Sequence, residues 1–404
     1  MNILVLNCGS SSLKYQLFRM PEEQVLIRGG IEKIGSEDAL HTYKTDGQDG
    51  QDQTTSQILD HREALQQVIE VVTHRSGVLQ SVEEIAAVGH RVVHGGEQFA
   101  LSSLLTDEVK RAIQDNVELA PLHNPANLQG IEAMEAVLPG VPQAAVFDTA
   151  FHQSMPPEHY LYPIPYVLYK RHKVRRYGFH GTSHRYVSSR VPYLVHRDLM
   201  NLKVISCHIG NGASVAAIQN GRSTDTSMGM TPLEGVMMGT RSGDIDPSLQ
   251  EYISRKEGLA AAEFSSMLNK HSGLYGISGL SGDMRKITEA RAKGSARSAL
   301  AFDMYEYRIR KYIGAYVAAM NGVDVLLFTA GVGENSPLLR RKICDNLTYL
   351  GLELDPQAND QGKGERIISL PTSRVTVCVI PTNEELMIAR DTQVLVSGLE
   401  SWEK

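Results

Sequence analysis

Short apolar runs and helix-spaced apolar positions alternate along the whole chain. Ile3–Asn7 is a β-branched and leucine run closed by a Gly/Ser turn, and Lys14–Phe18 reads as its return strand. Between Asp60 and Arg75, the residues Ala64, Leu65, Val68, Ile69 and Val72 recur at helical spacing. Ile85–His94 predicts a strand stopped by Gly95-Gly96, and Gln143–Phe147 predicts another. Arg297–Met320 predicts a long helix ended by Asn321-Gly322, followed at once by the strand Val323–Phe328. A late strand over Val375–Ile380 and a last helix opening over Glu384–Asp391 complete the pattern. Strands alternating with helices predict an α/β architecture. The polar, Gly/Asp/Gln-rich stretch Ser36–Gln57 reads as a surface excursion, and the proline-rich Ser154–Pro165 as a domain junction.

One piece of grammar occurs twice. Asn2–Phe18 is strand, Gly-containing turn, strand; Lys203–Gln219 repeats it around Gly210-Asn211-Gly212, and Asn220-Gly221 supplies a further hairpin turn. Two such openings fit a duplicated fold, and equally two ordinary hairpins. With 404 residues the chain has length for two to three domains, and its 42% hydrophobic content is enough for sizeable cores. The 40 Lys+Arg against 46 Asp+Glu give a net charge of −6, which disfavours a nucleic-acid partner. No apolar run approaches the ~18 residues of a membrane span, and Met-Asn-Ile-Leu-Val-Leu-Asn has no basic signal-peptide start, so a cytoplasmic protein is expected. Cys8, Cys207, Cys344 and Cys378 form no CxxC pair and suggest neither zinc nor a disulfide framework.

Candidate chemistry clusters in a few segments. The turn Asn7-Cys8-Gly9-Ser10-Ser11-Ser12-Leu13-Lys14 is dense in phosphate-binding groups: a permissive glycine, serine hydroxyls, a cation, and in Asn7 a neutral oxygen suited to a metal or its waters. It is not a Walker A loop, since the Gly-Lys at 362–363 precedes Gly364 in a polar loop. Gly331-Val332-Gly333-Glu334-Asn335 is not a dinucleotide fingerprint either. It reads as a glycine loop between a strand and a helix N-capped by Ser336, with Pro337 at the first helical position. Arg91 in an apolar strand and Arg241 among small residues point to a carboxylate or phosphate. Asp148 follows a strand at its carboxyl end, and Glu384 stands between the last strand and last helix. His180 and His184 are four apart but without the glutamate of HExxH, so His180 reads as an oxyanion donor rather than a zinc ligand. The basic runs Lys170–Arg176 and Arg340-Arg341-Lys342 read as solvated surface.

Nine blocks, in order along essentially the whole chain, resemble the acetate kinase family. They are Asn7-x-Gly9-Ser10-Ser11-Ser12-x-Lys14, Gly89–Gly96, Phe147–His152, Tyr177–His184, His208–Gly212, Gly239–Asp244, Asp283–Arg285, Gly331–Asn335 and Thr382–Glu385. The resemblance implies the duplicated ribonuclease-H-like fold of the acetate and sugar kinase, Hsc70 and actin superfamily, with two domains around a nucleotide cleft. It implies domains at 1–150 plus 385–404 and at 151–384, and a homodimer. The implied reaction is Mg²⁺-dependent phosphoryl transfer from ATP to acetate, giving acetyl phosphate and ADP, with Mn²⁺ as an alternative ion.

Carried onto this sequence, the resemblance assigns Asp148, His180 and Arg241 to catalysis. Arg91, Val93, Leu122, Phe179 and Pro232 go to the acid substrate, and Asn7 and Glu384 to the metal. Lys14, His208, Ile209, Gly210, Asn211, Gly212, Asp283, Met284, Arg285, Gly331, Val332, Gly333, Glu334 and Asn335 go to the nucleotide. Acetate is already ionised at neutral pH, so Asp148 is expected to orient its neighbours rather than act as a base. Propionate kinase is the near alternative. A non-catalytic ATP sensor would not need Arg91, Asp148, His180 and Arg241 together, and a sugar kinase would need a base and a polar pocket.

Overall fold

The N-terminal apolar run forms β1 (Asn2–Cys8), and the Gly9-Ser10-Ser11 turn returns it antiparallel as β2 (Ser12–Arg19), placing Asn7 opposite Lys14. These strands open the first of two units in the computed structural model: Met1–Phe151 with Asn383–Lys404, and His152–Thr382. The residues described are 1–48, 50–121 and 123–399, so Leu122, assigned above to the acid substrate, lies outside them.

The first unit continues with β3 (Gln24–Glu32), β4 (Ser36–Thr45), β5 (Asp52–Ile58), β6 (Ile85–Val92), β7 (Ser103–Leu104) and β8 (Gln143–Phe147). They form one sheet in the order β5-β4-β3-β2-β1-β6-β8-β7. The expectation of a surface excursion over Ser36–Gln57 is corrected: β4 and most of β5 occupy it. The period-two set Ala39, His41, Tyr43 and Thr45 turns inward, while Leu40, Thr42 and Lys44 between them are half-exposed on the strand's other face. Composition hid the alternation.

The helix Glu384–Ser397 packs across β1, β6 and β8, and Asn383 caps it by accepting from the Leu386 N–H at 3.0 Å. Close approach is possible because β6 carries Gly89. A Cβ there would stand 2.5 Å from Thr392 Oγ1 and 2.6 Å from Ile388 Cγ2. Gly89→Ala is therefore expected to displace this helix and cost about 1–3 kcal/mol. Urea unfolding should show a lower midpoint at unchanged slope, and an unmoved midpoint would contradict the packing argument.

The second unit repeats the grammar. β9 (Lys203–Ile209), β10 (Ala213–Gln219), β11 (Arg222–Thr226), β12 (Val325–Thr329), β13 (Arg366–Ile367) and β14 (Thr376–Val379) run in the order β11-β10-β9-β12-β14-β13. Antiparallel strands lead in both sheets, five in the first and three in the second, and the first strand then pairs parallel with the next crossover strand. Helices Gly181–Val195 and Ala296–Ala319 pack on β9, and β9 and β10 are buried over nearly their whole length.

Two further expectations are corrected here. Gly331–Asn335 is not an open loop but part of a short helix, Ala330–Asn335, entered directly from β12. Ser336 does cap the next helix, accepting from Leu339 N–H at 3.4 Å. The basic runs are only partly solvated. Arg175 lies over the Tyr160 ring at 3.5 Å, and Arg176 donates to the Thr226 carbonyl at 2.6 Å and to Glu234 at 2.5 Å. Arg340 is fully buried.

Candidate functional site

In the first unit the site forms where parallel strands end. Arg91 is the penultimate residue of β6, and Asp148 follows its neighbour β8, its N–H donating to the Val92 carbonyl at 2.9 Å. Arg91 Nη2 donates to Asp148 Oδ2 at 2.7 Å, and Nε lies 3.2 Å from both carboxylate oxygens. The Asp148 side chain is 2% exposed and that of Arg91 24%. This forked pair uses two of the guanidinium nitrogens and leaves Nη1 for another acceptor. Asp148 keeps the Arg91 guanidinium charged, raising it above its ordinary range. Glu384 Oε2 lies 3.9 Å from Arg91 Nε. Burial pushes the Glu384 carboxyl up to about 7, against the pull of Arg91 and with a further push from Asp148 and Glu385. Lys14 is near enough to act on the same carboxyl, so Lys14, Arg91, Asp148 and Glu384 share one neighbourhood.

Two asparagines not picked out from the sequence hold this region. Asn127 accepts from Val93 N–H at 3.1 Å and donates to the Cys8 carbonyl at 2.9 Å. Asn124 accepts from His94 N–H and returns a bond to the His94 carbonyl. Buried Val93 is thus fixed by its own backbone.

In the second unit the turn Gly210-Asn211-Gly212 is the centre. His180 precedes the helix Gly181–Val195 with φ of 57°, a left-handed conformation uncommon for a non-glycine residue. Its Nδ1 is 2.9 Å from Ser214 Oγ, and its ring stacks on His208 with centroids 4.0 Å apart. A Cβ at Gly212 would lie 3.5 Å from both His180 Nε2 and Arg241 Nη1, so glycine there opens a space faced by both donors. Arg241 donates to the Pro232 carbonyl at 3.4 Å and to Met238 sulfur, and among the described residues no carboxylate pairs with it. Burial pulls its guanidinium below the ordinary value. Phe179 is buried, and its carbonyl accepts from His152 Nε2–H at 3.1 Å.

The segments that the family resemblance assigns to the nucleotide meet this same turn. Gly239 N–H donates to the Asn211 carbonyl at 3.1 Å, and a Cβ on Gly239 would collide with Asn211 Oδ1. Gly282 lies against Gly239 and leads into Asp283, which caps the helix starting at buried Met284 and pairs with exposed Arg285 at 2.6 Å. On the other side, a Cβ at Gly333 would lie 3.6 Å from Ile209 Cβ. Arg340, read from the sequence as surface, clamps this segment: Nη1 donates to the Gly333 and Glu334 carbonyls at 2.8 Å, while Nε and Nη2 reach Asn359. Glu334 accepts from Thr382 N–H, and Asn335 turns back onto the Gly331 carbonyl. Val332 is half-buried.

A model of the acetokinase family matches residues 2–390. The chain belongs to the acetokinase family. It is 57% identical over 397 residues to the acetate kinase of Symbiobacterium thermophilum, covering 98% of this chain and 99% of that one. The crystal structure of Porphyromonas gingivalis acetate kinase superposes with a TM-score of 0.93 at 49% identity, over 98% of this chain and 99% of the other. A propionate kinase from Francisella tularensis superposes with a TM-score of 0.91 at 41% identity, over 98% and 99%. The fold is thus the actin-like fold of acetate kinases, with two α/β domains.

Mg²⁺ suits an acetokinase with these donors. Among the described residues no group of three or more His, Cys, Asp or Glu is placed to hold a metal. Glu384 offers a half-buried carboxyl beside Lys14 and Arg91, and Asn7, opposite Lys14, a neutral oxygen. Few protein donors fit an ion that keeps several waters and binds substrate phosphates.

Proposed function

We propose that this chain works as an acetate kinase, a phosphotransferase with a carboxyl acceptor. ATP and acetate give ADP and acetyl phosphate, reversibly and by direct in-line transfer. The observation that carries the reading is Arg241: a half-buried guanidinium with no carboxylate partner among the described residues, facing the Gly212 space together with His180. Such a cation is stabilised by an anionic ligand.

Phosphoryl transfer asks the protein chiefly to position reactants and neutralise charge. Arg241 and His180 donate to the transferring phosphoryl oxygens. Arg91 offers its remaining nitrogen to the acetate carboxylate, held in orientation by Asp148. The acetate oxygen attacks the γ-phosphorus as the bond to the ADP oxygen breaks, and no proton changes hands, so Asp148 is a positioning residue. The turn at Asn211, with Gly239, Gly282–Arg285 and Ala330–Asn335 packed around it, receives the nucleotide. Glu384 and Asn7 hold Mg²⁺, which screens the phosphate charges when bound. The family resemblance assigns Val93, Phe179 and Pro232 to the methyl group. The family resemblance extends the reading to a cytoplasmic homodimer. No described helix is long and apolar enough to cross a membrane.

Hydroxylamine trapping of acyl phosphate, with ATP and Mg²⁺ across formate, acetate, propionate and butyrate, tests this. The expected optimum is acetate, with propionate poorer by roughly 10- to 200-fold, since one methylene is worth about 1–3 kcal/mol. Val93→Ala should narrow that gap. An optimum at propionate moves the assignment to propionate kinase, and no acyl phosphate from any acid overturns the reading.

A further inference from the structure

Behind the His180 ring lies a row of polar atoms. Ser206 Oγ is 2.8 Å from His184 Nδ1, His184 Nε2 is 2.8 Å from Ser214 Oγ, and Ser214 Oγ is 2.9 Å from His180 Nδ1. The topology builds it. Ser206 alternates with Val204 and His208 on one face of β9, Ser214 pairs with His208 across β9–β10, and the helix Gly181–Val195 packs on β9 with His184 one turn after His180. Ser206, His184 and Ser214 are fully buried.

Hydrogen counting leaves two arrangements. Burial, reinforced by His152 and His208, pushes His184 well below its ordinary value, so the ring is neutral and carries one proton. If that proton is on Nδ1, it is donated to Ser206. Ser214 then donates to His184 Nε2, His180 Nδ1–H donates to Ser214, and the Ser206 hydroxyl hydrogen has no acceptor among the described residues. If the proton is on Nε2, every hydrogen is used: Ser206 donates to His184 Nδ1, His184 Nε2–H to Ser214, and Ser214 to His180 Nδ1. A buried orphan donor is costly, so the second arrangement prevails. With His180 Nδ1 accepting, the proton of that ring is on Nε2, the nitrogen that faces Gly212 and Arg241.

We propose that Ser206, His184 and Ser214 are positioning residues that fix His180 in its Nε2–H tautomer, so that the neutral ring donates toward the phosphoryl group. The proposal rests on the assignment of His180 to the phosphoryl site made above. Without the row, a neutral His180 divides between two tautomers, and only one of them donates from Nε2.

Long-range ¹H–¹⁵N correlation spectra of the full chain labelled with ¹⁵N-histidine test this, the His180 signals being identified by their loss in His180→Asn. The expected wild-type spectrum shows a pyrrole-type Nε2 and a pyridine-type Nδ1 for His180. Ser206→Ala removes the asymmetry at the far end of the row. It should move both His180 shifts toward intermediate values and lower kcat about tenfold with KM for ATP and acetate within about twofold. Ser206→Thr, which keeps the hydroxyl, should recover both. A pyridine-type Nε2 in the wild type overturns the proposal. So does Ser206→Ala with unmoved His180 shifts, whether or not kcat falls. Should Ser206→Ala fail to fold, the wild-type spectrum and Ser214→Ala decide. Absence of acyl phosphate with the wild-type enzyme would sink the acetate kinase reading instead, and the tautomer is read without turnover.

Discussion

Arg91→Ala is expected to lower kcat/KM for acetate by roughly 10³-fold, and to destabilise the chain as well. Two losses combine. The acetate carboxylate loses the guanidinium proposed to bind it, and Asp148, 2% exposed, loses the fork that satisfies both its oxygens. Removing one partner of a buried pair costs about 3–5 kcal/mol because the remaining charge is stranded. Glu384 suffers too, since Arg91 is the main group pulling its carboxyl toward ionisation. Arg91→Lys should recover part of the stability but little of the activity, because an ammonium cannot grip Asp148 with two nitrogens while presenting a third. Steady-state kinetics together with thermal unfolding check this. A stable Arg91→Ala enzyme of near wild-type kcat/KM would place the carboxylate site elsewhere.

Glu384→Gln should reduce Mg²⁺-dependent turnover by about 10²-fold or more, an effect at the upper end of what lost metal-site groups cause. Its pH signature is more telling. The Glu384 carboxyl stands at about 7 in the fold against an ordinary 4.5. Between those values the folded chain keeps a proton that the unfolded chain has released. The unfolded state then binds fewer protons, so stability contributed by this group is present below 4.5 and falls as pH rises toward 7. Without metal, the wild type should lose stability over that window relative to Glu384→Gln, which carries no such proton. Mg²⁺ competes with the same proton, so the wild-type enzyme should need more Mg²⁺ as pH drops below about 7. Urea unfolding at pH 5 and pH 8, with Mg²⁺ titrations of activity at matching pH, measures both. Parallel behaviour of wild type and Glu384→Gln would refute the role of this carboxyl.

What could be read in the chain divides along physical lines. Glycine-flanked blocks such as His208–Gly212 and Gly239–Asp244 declared themselves because close backbone approach and donor density need particular residue types at particular spacings. Arg340 did not. In Arg340-Arg341-Lys342 three adjacent cations look equally solvated, and only the fold decides that the first turns inward to hold Gly333 and Glu334. Asn124 and Asn127 were silent for a related reason: their partners, His94, Val93 and Cys8, are 30 to 119 residues away. Ser36–Gln57 misled because its polar residues belong to a sheet with one wet face, where period-two burial needs only four inward side chains. His184 attracted notice as a possible metal ligand, and its neighbours, two buried serines on strands far along the chain, give it a different part.

The first unit closes late. Its sheet is laid down by residue 147, yet the helix that seals β1, β6 and β8 begins at Glu384, after all of His152–Thr382. Those 231 intervening residues (382 − 152 + 1) take on the order of 10 to 50 s to synthesise. For that interval the sheet surface at Gly89 stands uncovered on the ribosome, and the carboxyl at 384 does not yet exist. A nascent chain therefore holds the residues of both sheets before it owns Glu384, the carboxyl proposed to hold the metal. On that proposal, phosphoryl transfer waits for the helix that Glu384 opens.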